Sequence, residues 1–245
     1  PGMKVIGRCR GAFAEQSIMD AREAMPMPEN LSWEEAASVP LVFLVSYDML
    51  VEQGHVAKDE WVLITGITSG VGVASLQMAK ALGARVIGTS RSKEKLAPLM
   101  SMGLDASITG DADIVAETKR ITGGHGIDIV INNVGGSVFP ACIKSLAYKG
   151  RLATVGYVDG VMHADLDIGT LHSQRLRVYG VSNKNRTAGE RAVTVSGFAR
   201  DILPHIREGR IKPLLDRVFD FDTLPEAKAR MESNAHVGKI VVRMG

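Results

Sequence analysis

The 245-residue sequence carries 29 Lys and Arg against 27 Asp and Glu, a net charge of +2 that gives no global electrostatic case for nucleic acid or a membrane surface as partner. Apolar residues make up 45% and charged residues 23%, so the chain can bury a sizeable core and is far from the composition of a disordered segment. Cys9 and Cys142 are too few for a disulfide framework or a four-thiolate zinc site, and the longest apolar run, 39–45, is far short of the roughly 20 residues of a membrane helix, so a reducing cytoplasm is the expected compartment.

The sequence opens on Pro1-Gly2-Met3-Lys4-Val5, without an initiator methionine or a signal region, and reads as cut from something longer. Residues 1–30 hold Gly2, Gly7, Gly11, Pro26 and Pro28 around short apolar runs, a pattern of small strands and turns. Residues 32–53 read as helix. Ser32 and Glu35 have capping-box spacing at its start, and Pro40 kinks or divides it.

From residue 61, short β-branched runs alternate with segments of helical period, the signature of repeated βαβ units. Six runs read as strands: 61–65, 85–89, 106–109, 127–132, 151–156 and 177–181. Each is too apolar to be half solvated, which suits a sheet with helices on both faces. Connecting helices are predicted from 71 to Gly83 and over 93–102, 112–121 and 137–148; a long helix follows over 187–208, and the tail ends in the strand-like 239–244. Right-handed crossovers make this α/β, a doubly wound parallel sheet.

The sharpest signal is a strand, a glycine-rich turn, a helix and a second strand over 62–95. Gly66, Gly70 and Gly72 remove side chains where a pyrophosphate must reach backbone N–H groups, and the helix N-terminus offers its free donors and positive dipole end. A strand-to-helix turn in which Thr68 or Ser69 merely caps the helix is the alternative. After the second strand, Ser90-Arg91-Ser92-Lys93-Glu94-Lys95 puts no acid at the strand end, where an NAD-preferring site has a carboxylate. Cations and hydroxyls stand there instead to bind a 2′-phosphate, favouring NADP(H). A solvated helix start is the bland counterpart of that segment.

These motifs, with PGMKV (1–5), GAFAEQ (11–16), 36–51, INNVGG (131–136), KGRLATVG (149–156), GVSNKNRT (180–187) and 231–243, resemble end to end the medium-chain dehydrogenase/reductase superfamily, in particular its zinc-independent NADPH:quinone oxidoreductase, or zeta-crystallin-like, branch. The resemblance implies a Rossmann coenzyme domain over 40–189 and pieces of a GroES-like, β-rich substrate domain over 1–39 and 190–245, with roughly the first third of that substrate domain lying outside this sequence. Carried over by position, Gly66, Ser69, Gly70, Val71 and Gly72 hold the pyrophosphate, and Ser90, Arg91 and Lys95 meet the adenosine phosphate. Asn133, Val134, Gly135, Val155, Gly156, Tyr157, Ser182 and Asn183 line the nicotinamide side, Ser46 and Tyr47 are the catalytic candidates, and no metal is bound. Ser69 replaces a usual glycine, and Asn132 stands where many relatives have aspartate. For Tyr47 an amphipathic core position is as good a reading as proton donation.

The implied reaction is hydride transfer from NADPH to a small-molecule electrophile, a quinone or an α,β-unsaturated carbonyl, by a homodimer pairing the edge strand near 177–181. A non-catalytic NADPH-binding sensor or scaffold is the alternative, and a zinc-type alcohol dehydrogenase a weaker one. The six histidines show no metal-binding spacing and read as surface or satisfied structural residues. TGITSGVG also fits the short-chain dehydrogenase turn, but no tyrosine here is followed four residues later by the lysine those enzymes need.

Overall fold

The computed structural model describes residues 2–244. A short antiparallel pair, β1 (Val5–Ile6) and β2 (Met25–Pro26), comes first, then helices α1 (Trp33–Ser38) and α2 (Val42–Tyr47). Next come β3 (Trp61–Thr65), α3 (Gly70–Ala81), β4 (Arg85–Ser90), α4 (Ala97–Met100), β5 (Ala106–Thr109), α5 (Ile114–Ile121), β6 (Ile127–Asn132), α6 (Phe139–Ser145), β7 (Leu146–Thr154), α7 (Ile168–Ser173) and β8 (Arg177–Gly180). Helices α8 (Ala188–Asp201) and α9 (Leu203–Arg207), β9 (Leu215–Asp220), α10 (Leu224–Glu232) and β10 (Lys239–Arg243) complete the chain.

Strands β3 to β8 form one parallel sheet in the order β5-β4-β3-β6-β7-β8. The chain winds outward from β3 in one direction and from β6 in the other, so the loops after β3 and β6 diverge at the topological switch point, where open α/β sheets take ligands. Alternation along β3 builds two core layers. Val62 and Ile64 pack with α2, α3 and α8 through residues such as Phe43, Leu76 and Phe198, whereas Trp61 and Leu63 pack with Cys142 and Ile143 of α6 on the opposite face. Cys142 is buried there, which pushes its thiol up to about 12 and leaves it an inert core residue.

The capping box at Ser32 and Glu35 forms, each side chain accepting from the other residue's N–H. Pro40 divides the helix behind it: Leu41 takes φ 70°, α2 restarts at Val42, and a single π turn covers 48–52. The long helix expected over 187–208 breaks at Ile202, because Pro204 has no N–H to continue the ladder and lies instead in the first turn of α9. The helix expected to reach 148 stops at Ser145, and the chain passes straight into β7, where Lys149 takes φ 63°. The edge strands β5 and β8 are not covered on both faces, and most of β8 is exposed. Two-stranded β9–β10, a parallel pair, stands apart from the main sheet. Among the described residues no helix is long and apolar enough to cross a membrane.

Candidate functional site

The C-terminal ends of β3, β4, β6 and β7 deliver the loops 66–69, 91–95, 133–137 and 155–161 to one edge of the sheet. Gly66 takes φ 60°, and a Cβ on Gly72 would meet the Ile67 carbonyl oxygen at 2.5 Å, so a tight turn requires glycine at both places. Ser69 is the N-cap of α3, its Oγ accepting from Gly72 N at 3.0 Å. The capping alternative therefore describes Ser69, whose hydroxyl keeps its own proton to donate. The amides of Gly70 and Val71 have no partner among the described residues, leaving two adjacent donors at the positive end of a 12-residue helix.

Beside that turn lies the loop after β4. Arg91 is exposed, and Ser90 turns its hydroxyl into its own loop, donating to the Ser92 carbonyl and accepting from Ser92 N, so the direct phosphate contact expected of its side chain is not prepared. Lys95 donates from Nζ to the Asn234 carbonyl, which joins this loop to the segment ahead of β10. That segment also reaches the glycine turn, where Gly238 N donates to the Thr68 carbonyl at 3.2 Å. His236 lies between Lys95, Lys239 and the Arg230–Asp216 pair; its buried Nδ1 has no partner, and burial with these cations lowers its pKa. The only acid in that group, Asp216, is held in its charged form by Arg230.

On the other side of the switch point, Asn132 is fully buried and organises the loop after β6. Its Oδ1 accepts from Thr65 Oγ1, Val134 N and Gly135 N, each at 3.1 Å, while Nδ2 donates to the Gly135 carbonyl at 2.9 Å. Asn133 donates from its side-chain amide to the Thr65 carbonyl at 2.9 Å and from its backbone N–H to Thr65 Oγ1 at 3.1 Å, so both are committed to the end of β3. The loop after β7 is stitched to this one by Val155 N to the Asn132 carbonyl, Asp159 N to the Val134 carbonyl and Gly136 N to the Val161 carbonyl. A Cβ on Gly156 would lie 3.0 Å from the Asn133 carbonyl oxygen, the close approach that glycine permits. Val134 is half-buried beside Gly66, whereas Tyr157 is exposed. Ser182 and Asn183 follow β8, with the Ser182 hydroxyl accepting from Lys184 N.

Ser46 and Tyr47 do not reach this edge as free hydroxyls. Ser46 is fully buried, donating to the Val42 carbonyl and lying 2.9 Å from Ser75 Oγ of α3. Tyr47 packs edge-on against Phe198 and donates to Asp201 Oδ2 at 2.6 Å; burial first, then this contact, raises its pKa. In this structure both hydroxyls expected to be catalytic are engaged within the protein, Ser46 between α2 and α3 and Tyr47 between α2 and α8. Two histidines also depart from the expectation of satisfied structural residues, since the Nδ1 atoms of His205 and His236 are buried without partners. Sequence reading missed that Lys239 and His236 lie close to the glycine turn and the loop after β4, and that Asp159 ties the loop after β7 to Ser137. Nothing in a lone HVGK string about 170 residues further along the chain signals that it lies on the glycine turn, whereas Asp159 shows its place only through a loop pairing.

Among the described residues no group of three or more His, Cys, Asp or Glu is placed to hold a metal ion. Residues 70–195 match the zinc-binding dehydrogenase family. Over 244 residues the chain is 29% identical to a phenolphthiocerol/phthiocerol polyketide synthase polypeptide of Mycobacterium tuberculosis, covering 98% of this chain and 11% of that protein. It is 30% identical over 233 residues to acryloyl-coenzyme A reductase of Sulfurisphaera tokodaii, covering 95% of this chain and 65% of that one. The chain thus spans about a tenth of the first relative's length and just under two thirds of the second's. Among solved structures, mycobacterial Rv1454c in complex with NADPH superposes with a TM-score of 0.85 at 25% identity, over 96% of this chain and 72% of that one.

Proposed function

The chain belongs to the medium-chain dehydrogenase/reductase superfamily, and from that membership we propose that it works as an NADPH-dependent reductase of electron-poor double bonds or quinones, without zinc. The observation that carries the reading is the pair of free amides on Gly70 and Val71 beside a loop that brings cations after β4 and no carboxylate at the strand end itself, Glu94 accepting from Ser92 Oγ within the loop. Anionic phosphate suits the first, and a 2′-phosphate suits Arg91 and Lys95 once Lys95 leaves the Asn234 carbonyl. The NADPH complex of a structural neighbour and the name of the acryloyl-coenzyme A reductase relative support the coenzyme and an α,β-unsaturated substrate.

In this reading 40–189 is the coenzyme domain, while 1–39 and 190–245 belong to the substrate side, supported by the separation of β1–β2 and β9–β10 from the main sheet. NADPH supplies the hydride. The chain's own work is to orient: Asn132 holds the backbone of 133–135, and that loop braces the one after β7. With Ser46 and Tyr47 buried, solvent is the proton source for the reduced product. The exposed edge strand β8 is the surface on which two copies pair.

The same burial of Ser46 and Tyr47 favours a second reading, a protein that binds NADPH without turnover. Following the nicotinamide absorbance of NADPH after adding a quinone or an enoyl thioester separates the two. Oxidation dependent on the electrophile establishes the reductase, and tight binding with no oxidation establishes the sensor.

A further inference from the structure

Between β8 and α8 the backbone lacks support of its own. Val181 N donates to the Thr154 carbonyl at 3.0 Å and Thr187 opens α8 with a capping box, yet residues 182–186 make no backbone-to-backbone hydrogen bond among the described residues. Arg186 is what ties the loop down. Its Nη1 meets Asp48 Oδ2 at 3.2 Å, while Nη2 donates to Thr194 Oγ1 at 2.5 Å and to the Glu190 carbonyl at 2.9 Å and lies 3.6 Å from Glu52. Thr194 in turn donates to Glu52 Oε2 at 2.9 Å. The main chain of Arg186 is held as well, because Arg191 donates from Nη1 to its carbonyl at 2.5 Å while pairing through Nε with Glu23.

Asp48 and Glu52 begin and end the single π turn, a feature that recurs inside helices at functional sites. Tyr179 of β8 fixes that turn separately, donating to the Met49 carbonyl at 2.7 Å. Asp48 is buried and Glu52 half-buried, and among the described residues the only ion pairs either forms are with Arg186. Two part-buried carboxylates that share one guanidinium hold it far more firmly than a surface pair would. The cluster therefore has a fixed end in the π turn, and its other end is the loop that carries Ser182 and Asn183. We propose that Arg186 is a positioning residue for the nicotinamide half of the coenzyme, suspending 182–186 from the Asp48–Glu52 turn so that Ser182 and Asn183 keep their place at the sheet edge. The inference rests on the coenzyme reading above and extends it to a side chain that acts only through the loop. Because β7 and β8 are neighbours, this loop and the one after β7 leave the sheet side by side, and a shift of about 1 Å there is enough to cost roughly a hundredfold in rate.

The test compares the whole chain with its Arg186→Gln and Arg186→Lys variants and with the double variant Arg186→Gln, Glu52→Gln, in which one uncompensated carboxylate is neutralised. Each is titrated with NADPH and with 2′,5′-ADP, which carries the adenosine half alone. The fluorescence of bound NADPH reports the surroundings of the nicotinamide ring, and amide exchange without ligand reports the loop. Arg186→Gln and the double variant are expected to bind 2′,5′-ADP within about twofold of wild type and NADPH about tenfold more weakly, with lower fluorescence of the bound ring and amides of 182–187 that exchange about tenfold faster or more. Arg186→Lys, which reaches one carboxylate but has no fork, should recover part of the NADPH affinity. Where Arg186→Gln is too unstable to titrate, the double variant and Arg186→Lys give the same comparison. A merely structural role would weaken both ligands together. An equal loss for both, or an unchanged ratio of the two affinities in every variant, overturns the assignment and leaves the coenzyme reading intact. A wild-type chain that binds neither ligand overturns both.

Discussion

Tyr47 on α2 donates its hydroxyl proton to Asp201 Oδ2 at the end of α8, 154 residues away, with Phe198 edge-on against its ring. Gly197 makes the contact possible, because a Cβ there would sit 2.5 Å from the Tyr47 hydroxyl oxygen. The helix that follows Pro40 is thereby bound to the helix that returns toward β1 and β2. Tyr47→Phe keeps the ring and removes one hydrogen bond to a carboxylate that Arg200 still satisfies, so it should cost about 1–2 kcal/mol. Turnover of NADPH should stay within about twofold. Urea denaturation and steady-state assays check the two halves, and a hundredfold loss of kcat at unchanged stability would restore Tyr47 as a proton donor.

Ser69 is predicted to act first on folding. Its hydroxyl oxygen satisfies Gly72 N, so Ser69→Ala leaves a third amide open and should destabilise the chain by about 1 kcal/mol, whereas Ser69→Gly should cost only a few tenths. If the hydroxyl proton also meets a phosphate, both variants weaken NADPH to the same degree despite their different stabilities. Thermal melts with and without NADPH separate cap from ligand.

The strands, the glycine turn and the capping box were legible because each is a local pattern: a short, wholly apolar run such as 61–64 in β3, and Ser32 three residues before Glu35. Even the weak run 106–109 emerged as a strand with the expected bounds. What stayed hidden was tertiary. Pro204 marks a break only once α8 is known to end at Asp201, and the buried state of Ser46 and Tyr47 depends on α3 and α8 closing over them. Lys239 is one more lysine in a sequence until Gly238 is seen bonded to Thr68.

Charge at the post-β4 loop predicts coenzyme preference. Lys95→Glu replaces an ammonium with a carboxylate beside the place proposed for the 2′-phosphate, turning attraction into repulsion. NADPH affinity should drop at least tenfold while NADH changes by less than about threefold, and the difference should shrink in about 0.5 M salt, where the Debye length falls to roughly 4 Å. Competitive titration of the two dinucleotides reads the outcome, and an unchanged preference removes Lys95 from the site.

Stability should rise with pH across the range from about 5.5 to 7.5. Burial lowers the pKa of His205 and His236, so the unfolded chain, whose histidines titrate near pH 6.5, binds more protons than the folded one as pH falls. Glu52 acts in the opposite sense, because burial raises its pKa and its contribution is lost as pH climbs past the ordinary glutamate range. The double variant His205→Gln, His236→Gln isolates the histidines: its melting temperature should vary less with pH over this window than that of wild type.

Asn132 offers the sharpest test of how the nicotinamide-side loop is held. Both ends of its amide are committed, three donors converging on Oδ1 and Nδ2 meeting the Gly135 carbonyl, with no exposure to water. An aspartate preserves the acceptor but turns a second carboxylate oxygen toward the Gly135 carbonyl, setting two acceptors face to face in a dry site. Asn132→Asp should therefore cost about 1–3 kcal/mol, and Asn132→Ala, which strands three donors, should cost more. Because Gly136 and Ser137 are coupled to Val161 and Asp159, the damage should spread to the loop after β7 and appear as faster amide exchange over 155–161. Hydrogen exchange on Asn132→Asp checks this directly. Protection unchanged at 155–161 would mean that the two loops are held independently and that the amide of Asn132 serves β6 alone.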